Sequence, residues 1–348
     1  MFDDFARRVV RPTGLDVVLG VVAVLLVLEA TRRTVGWVLP AICLGFVAYA
    51  FFGALLPFGW ELGHKGYDPE RLVGQTYMGI EGLFGVPLDV AATYIVLFTI
   101  YGAVLEYSGA GRYFIDVSFA AFGRSAAAPA RTVTLAGFLL GTVSGSGVAT
   151  TVTLGSVAWP VLRRAGYPRD QGGGILAASG IGAILSPPTL GAAAFIIAEF
   201  LRISYLDVVL MAVIPTCLFY LTLFLMVEID VRKFGMKNVT FERVESAWSL
   251  SKRYWYHFLS LVSIIAFMLT GFSPELSVFW ATVVALATSF LRRDTALIPY
   301  EFFRTGRGFL NSGLLQALKG GAMSVLNVAA TCAGGPCAGE FPERSAVN

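Results

Sequence analysis

Two long uncharged stretches, each interrupted at its centre, constrain this chain more than any other feature. The first, Thr132–Leu162, carries Ser144-Gly145-Ser146-Gly147-Val148-Ala149-Thr150 in its middle. The second, Gln171–Ala198, carries Gly182-Ala183-Ile184-Leu185-Ser186-Pro187-Pro188-Thr189. Each is long enough to enter a bilayer, yet neither can run through its centre as an unbroken helix. Irregular backbone at membrane depth is tolerated only where its freed polar groups are buried in protein or line a cavity. Two such breaks in succession fit a secondary transporter, in which unwound carbonyls and half-helix ends hold ion and substrate near the midplane. Composition agrees with a membrane setting. Charged residues make up 14% of the chain, against about 25% in soluble domains, and the mean hydropathy is +0.71. The 27 Phe, 13 Tyr and 6 Trp suit a lipid-facing surface with interfacial anchors. The reading is an all-α integral membrane protein, a multi-span helical bundle in a lipid bilayer. A net charge of +3 without a basic stripe excludes nucleic acid as a partner.

Uncharged runs mark further spans at Val17–Leu28, Val35–Trp60, Val90–Leu105 and Val208–Val227, and a tight pair at Tyr254–Pro274 and Leu276–Leu291. Tyr67–Leu83 has helical spacing with charges at Asp68, Glu70, Arg71 and Glu81, and is expected to lie along the interface. Tyr113–Phe122 is amphipathic and too short to cross. The most polar loop, Glu228–Arg253, holds Arg232, Lys233, Lys237, Arg243, Lys252 and Arg253, which makes it cytoplasmic by the positive-inside rule. Counting back, Glu199–Asp207 is outside, Arg163–Asp170 inside, and Gln171–Ala198 crosses as a broken transmembrane helix. Thr132–Leu162 has Arg124 and Arg131 on one side and Arg163, Arg164 and Arg169 on the other. With both flanks cytoplasmic, it enters and returns. Arms of about 12–15 residues reach about 20 Å into a core of about 30 Å. The alternative is one long tilted helix kinked at glycine. The same count places the mildly acidic Glu61–Gly85 outside and Arg32 and Arg33 inside. It puts Arg7, Arg8 and Arg11 outside, which fits the rule poorly.

A dehydrated Na⁺ needs several oxygens at short range, and backbone carbonyls with Ser or Thr hydroxyls supply them without net negative charge. The tip offers Ser144, Ser146 and Thr150, with carbonyls freed by Gly145 and Gly147. The second break offers carbonyls near Gly182, Leu185 and Pro187, because Pro187 and Pro188 lack N–H groups. Half-helices restarting at Val148 and Thr189 turn positive ends inward, suited to a carboxylate. The bland reading of such glycines and serines is close helix packing. Asp89, Glu106, Glu199 and Asp207 sit at span ends, where solvation explains them. Cys43 and Cys217 read as small buried hydrophobes. Cys332 and Cys337 lack the partners that zinc needs. The start, Met1-Phe2-Asp3-Asp4, is no ordinary signal peptide.

Several runs now add up: EATRR (29–33), GYDPERLV (66–73), EGLFGVPL (81–88), SGAGRYFID (108–116), GTVSGSGVAT (141–150), RRAGYP (163–168), SPPTLGAAAFIIAEFL (186–201) and YLDVVLMAVIP (205–215). They resemble the fused membrane subunit of tripartite ATP-independent periplasmic (TRAP) transporters, in the TAXI-associated branch, over about residues 15–330. The resemblance implies a Na⁺-coupled elevator-type permease of bacterial or archaeal inner membranes. It implies a periplasmic TAXI-type substrate-binding protein as partner, an organic-acid substrate, and no organic cofactor. It assigns Na⁺ to Ser144 and Ser146 at the tip and to Gly182, Leu185 and Pro187 at the break. Gly147, Thr150, Pro188 and Thr189 are the candidates for substrate. The family often has Ala and Asn where this chain has Gly147 and Thr150. Members also continue into a second, inverted repeat. Here Leu315–Thr331 resembles its start, and Cys332 to Cys337 leads into a polar tail, Glu340 to Arg344, that looks like a frameshift or a gene fragment.

The expected organisation is scaffold-like spans at 1–60, an interfacial connector at 61–88, a transport region at 89–207 and a following bundle at 208–291. The start of a second repeat and the aberrant tail take 292–348. The chain would then hold the first half of an inverted-repeat elevator transporter. One alternative is a truncated, inactive fragment. Another is an intramembrane serine hydrolase using Ser144 or Ser146, which needs a base that neither His64 nor His257 is placed to supply. A passive channel is a third.

Overall fold

The computed structural model describes residues 8, 12–53, 66–79, 82–122, 127–236, 246–292, 295–298 and 312–334. Its helices are α1 (Gly14–Val35), α2 (Val38–Phe52), α3 (Pro69–Val73, followed by a π-helical turn), α4 (Val86–Tyr107), α5 (Ala110–Ala121), α6 (Ala128–Ser144), α7 (Gly147–Arg164), α8 (Arg169–Ile181), α9 (Ala192–Leu201), α10 (Tyr205–Phe234), α11 (Ala247–Tyr254), α12 (Tyr256–Leu269), α13 (Pro274–Ser289) and α14 (Gly313–Gly334). No strand occurs among the described residues. Helices α1, α4 and α10 are long and apolar enough to cross a membrane.

Charges that looked like span boundaries turn out to be caps and internal pairs. The run Val17–Leu28 is only the middle of α1. Thr13 caps the helix by accepting from the Asp16 N–H, and the Asp16 carboxylate accepts the Thr13 N–H in return. At the other end, Glu29 takes Arg32 at 2.6 Å and Arg33 at 2.8 Å, so the helix continues through all three charges. Helix α10 likewise runs past Val227 to Phe234, with Glu228 held by Arg131 of α6 and ending at Gly235 in the left-handed region (φ 62°).

The chain divides into two compact units, residues 1–93 with 323–348, and residues 94–322. In the first, Leu28, Cys43 and Leu83 form a small core with Val24, Val27, Leu39 and Tyr77. Gly20 of α1 leaves room for Val73, so the 67–83 segment buries apolar side chains against α1. The Thr31 hydroxyl donates to the Ala330 carbonyl at 3.0 Å.

In the second unit, α6 and α7 fold back on one another and α8 packs against both. Ala130, Val133, Ala136 and Leu140 of α6 share one core with Leu154, Ala158 and Leu162 of α7 and with Ile175 and Leu176 of α8. The first interrupted stretch is therefore a helical hairpin and not a long kinked helix. Helices α12 and α13 form the expected pair, joined to α4 where Ser260 donates to the Tyr101 hydroxyl at 3.2 Å. Amphipathic α5 buries Tyr113, Phe114 and Ile115. One face of α10 (Leu210, Met211, Ile214, Leu218, Leu221 and Leu225) is more than half exposed, which suits lipid. Cys217 lies on that exposed side, contrary to its reading as a buried hydrophobe. Arg7, Arg11, Glu61, His64, Glu81, Arg124, Lys237, Arg243, Cys337 and the 340–344 tail lie outside the described residues.

Candidate functional site

The hairpin turns in two residues. Ser144 ends α6. Gly145 takes the left-handed conformation (φ 56°, ψ 2°) and donates its N–H to the Gly141 carbonyl. Ser146 is extended, and its hydroxyl caps α7 by accepting from the Ala149 N–H at 3.4 Å. The Ser144 hydroxyl accepts from the Ser146 N–H at 3.3 Å and shares a hydrogen with the Thr150 hydroxyl. Ser144 and Thr150 thus converge, with Thr150 buried, while Ser146 stays exposed. The first helical residue of α7 is Gly147, one earlier than the sequence suggested.

The second break is longer. After α8 comes a 3-10 turn, Gly182–Ile184, then irregular backbone with a cis Pro187–Pro188 bond, and α9 restarts at Ala192 rather than at Thr189. Thr189 instead spends its hydroxyl on the Thr142 carbonyl of the hairpin at 2.7 Å, so it serves as a strap and not as a helix start. Helix α10 supplies the other partners. Tyr205 donates to the Pro188 carbonyl at 2.8 Å and accepts from the Leu190 N–H at 3.2 Å. Thr216 donates to the Leu185 carbonyl at 2.6 Å. Ser186 donates to the Gly182 carbonyl at 2.9 Å and meets the Tyr220 hydroxyl at 3.3 Å. Each carbonyl oxygen has two lone pairs. That of Leu185 keeps one acceptor site after its bond from Thr216, while that of Gly182 also takes the Leu185 N–H at 3.0 Å and is fully used.

Glycines let the two breaks meet. A methyl group added at Gly137 would lie 2.7 Å from the Ser179 Cβ, and one at Gly141 would lie 2.6 Å from the Ala183 Cα. At Gly145 it would lie 3.0 Å from the Thr189 carbonyl oxygen, and at Gly147 3.2 Å from that of Gly180. These four glycines, two on α6, one at the turn and one at the start of α7, bring backbone against backbone, as small residues do in membrane helix packing. Ser144, Gly147, Thr150 and Thr189 are brought together in this way. Gly182 and Leu185 turn instead toward Tyr220 and Thr216 of α10.

Beside the tip, Glu106, Gly111, Leu140, Val143, Ser144, Ala149, Thr150 and Thr153 line a cavity of about 10 Å³, room for about one water-sized particle. Glu106, exposed at the end of α4, is thus the one carboxylate that lines this cavity beside the paired hydroxyls. Asp89, Glu199 and Asp207 are exposed at helix ends. Tyr205, Thr216 and Tyr220 were also missed. Their spacing of eleven and four places them on one face of a helix, a signal that was available in the sequence. His257 is buried and stacks on Tyr113 and Tyr254, which occupies it as packing. Among the described residues no group of three or more His, Cys, Asp or Glu could hold a metal ion, so any cation here would rest on neutral oxygens and Glu106.

Residues 22–334 match the family model described as "Tripartite ATP-independent periplasmic transporter, DctM component". The chain is 27% identical over 205 residues to a C4-dicarboxylate TRAP transporter large permease protein of Pseudomonas aeruginosa, covering 58% of this chain and 48% of that protein. It is 24% identical over 196 residues to a 2,3-diketo-L-gulonate TRAP transporter large permease protein of Escherichia coli, covering 55% and 46%. A shorter match of 96 residues at 32% links it to a C4-dicarboxylate TRAP transporter large permease protein of Rhodobacter capsulatus, covering 28% and 22%. The chain spans about half the length of the curated relatives it matches.

Proposed function

The chain belongs to the DctM-component family of tripartite ATP-independent periplasmic transporters, multi-pass membrane permeases and not enzymes, and from that premise we propose that it is the permease subunit of a Na⁺-coupled importer of organic acids. A periplasmic binding protein of the TAXI type delivers the substrate, and the membrane is the inner membrane of a bacterium or archaeon. One observation carries this reading: the breaks in two separate interrupted stretches lie against each other, Gly145 under the Thr189 carbonyl.

In this account Ser144 and Ser146, with the carbonyls of Gly182, Leu185 and Pro187, hold Na⁺. The organic acid sits near Gly147, Thr150, Pro188 and Thr189. The start of α7 turns its free N–H groups and positive end toward a carboxylate. The start of α9 does the same from Ala192. Movement of the hairpin and broken helix as one body would carry both ligands across in an elevator step. The hydrolase alternative lacks support, since Ser144 shares its hydrogen with Thr150 and not with a base.

The test is thermal unfolding of the purified full chain in NaCl and in KCl at equal ionic strength. A ligand that binds only the folded state stabilises it by about 2.7 kcal/mol at a hundredfold excess over Kd. The expected result is a Na⁺-specific rise in Tm that Ser146→Ala abolishes. Equal midpoints in the two salts would remove Na⁺ from the account.

A further inference from the structure

A second pocket lies away from the two breaks, where α7 ends and α8 begins. Trp159, Arg163, Arg169, Gly173 and Leu176 line an open pocket of about 360 Å³. The Trp159 indole lies on the backbone of Gly172, where an added Cβ would come within 2.6 Å of Cζ3. That contact fixes the pocket wall. Arg163 and Arg169 are both exposed, and among the described residues neither has a carboxylate within 4.0 Å. Glu228, across on α10, is held by Arg131. Two guanidiniums without an acidic partner, opening on one pocket, call for an anion with several oxygens.

The surface leading away from the pocket identifies the source of that anion. Val152, Trp159 and Arg163 fall on one face of α7 at spacings of seven and four. Along that face Val152 is 68% exposed, Gly155 leaves a shallow place, Trp159 is half-buried, and Arg163 stands at the end. The order is apolar, then aromatic, then cationic. It matches acyl chain, glycerol region and headgroup phosphate of one lipid, with the indole at the interface. A soluble phosphate would use the arginines and leave the apolar strip unused. We propose that this pocket binds the headgroup of an anionic phospholipid, with Arg163 and Arg169 on the phosphate, Trp159 at the glycerol level and an acyl chain along Val152. Basic pockets between membrane helices recognise anionic lipids by this chemistry.

The experiment follows the Tm of the full chain in mixed micelles as phosphatidylglycerol, phosphatidylcholine or inorganic phosphate is added. The proposal expects a rise with phosphatidylglycerol alone. At about 1 kcal/mol per basic residue, the double variant Arg163→Gln/Arg169→Gln weakens the apparent lipid affinity about 30-fold. Arg164→Gln, exposed but outside the pocket lining, keeps wild-type affinity. Gly173→Glu puts a carboxylate in the pocket at a position with open space around it, and abolishes the rise without disturbing packing. An equal rise with phosphatidylcholine, a rise with inorganic phosphate alone, or a rise that survives in both pocket variants would each overturn the proposal.

Discussion

The two interrupted stretches are both broken at glycine, yet their breaks are made in different ways. The hairpin between α6 and α7 is closed by its own residues. Gly145 supplies the left-handed turn, Ser144 accepts the Ser146 N–H, and Ser146 caps α7. All of this happens within a few residues. The break between α8 and α9 is held from afar. Its carbonyls find Thr216 and Tyr205, 31 and 17 residues along, and its Thr189 reaches back 47 residues to Thr142. Both stretches solve the same problem, which is the cost of unsatisfied backbone in a medium without water. A local solution gives a tight, self-sufficient turn. A distant one gives a longer irregular segment whose shape depends on neighbouring helices, and such a segment can change shape when those neighbours move.

Substitutions can break or sharpen that contrast. The largest effect is expected where the two stretches touch. Gly141→Leu pushes into the Ala183 backbone and should cost about 3 kcal/mol by overpacking, seen as a fall in Tm and as faster hydrogen exchange at both breaks. Tyr205→Phe comes next. It strips a donor from the Pro188 carbonyl and an acceptor from the Leu190 N–H, both buried, at about 2 kcal/mol. Hydrogen exchange should accelerate across 182–191 and stay unchanged at 144–147. Equal acceleration at the hairpin would erase the distinction between the two breaks. Gly145→Ala should show the reverse pattern. Its φ of 56° costs an alanine about 1–2 kcal/mol, with exchange rising first at the tip. Ser146→Ala is the smallest, about 0.5–1 kcal/mol for a lost helix cap in the absence of Na⁺.

The same contrast explains what could be read in the sequence. The hairpin and both breaks were legible, because glycine, proline and serine act on the backbone nearest to them, whereas α11 lies in a stretch that read as a polar loop. Gly145 and Ser146 announce a turn wherever they occur together in an apolar run. Helix ends were less legible. Asp16, Glu29 and Glu228 looked like boundaries, but they are a cap and two paired charges inside longer helices. The supports of the second break were missed altogether. Tyr205, Thr216 and Tyr220 lie in an apolar helix that reads as a plain span, and nothing nearby shows which carbonyls they serve. Thr189 was read as a helix start for the same reason, since its partner is on another helix. Glu106 was assigned to interfacial solvation and is exposed, but only folding brings it onto the cavity that Ser144 and Thr150 line.

The central claim is that the two breaks build one site. It is tested most directly by a double-mutant cycle of Ser144→Ala and Thr189→Val, read as the Na⁺-specific rise in Tm of the full chain. Groups that share a site couple, while independent groups add. The account predicts that each single variant loses most of the rise, Thr189→Val because it frees the second break from the Thr142 carbonyl, and that the double variant loses little more. Additive losses from the two substitutions would mean that the hairpin tip and the second break serve separate sites, and would contradict the account.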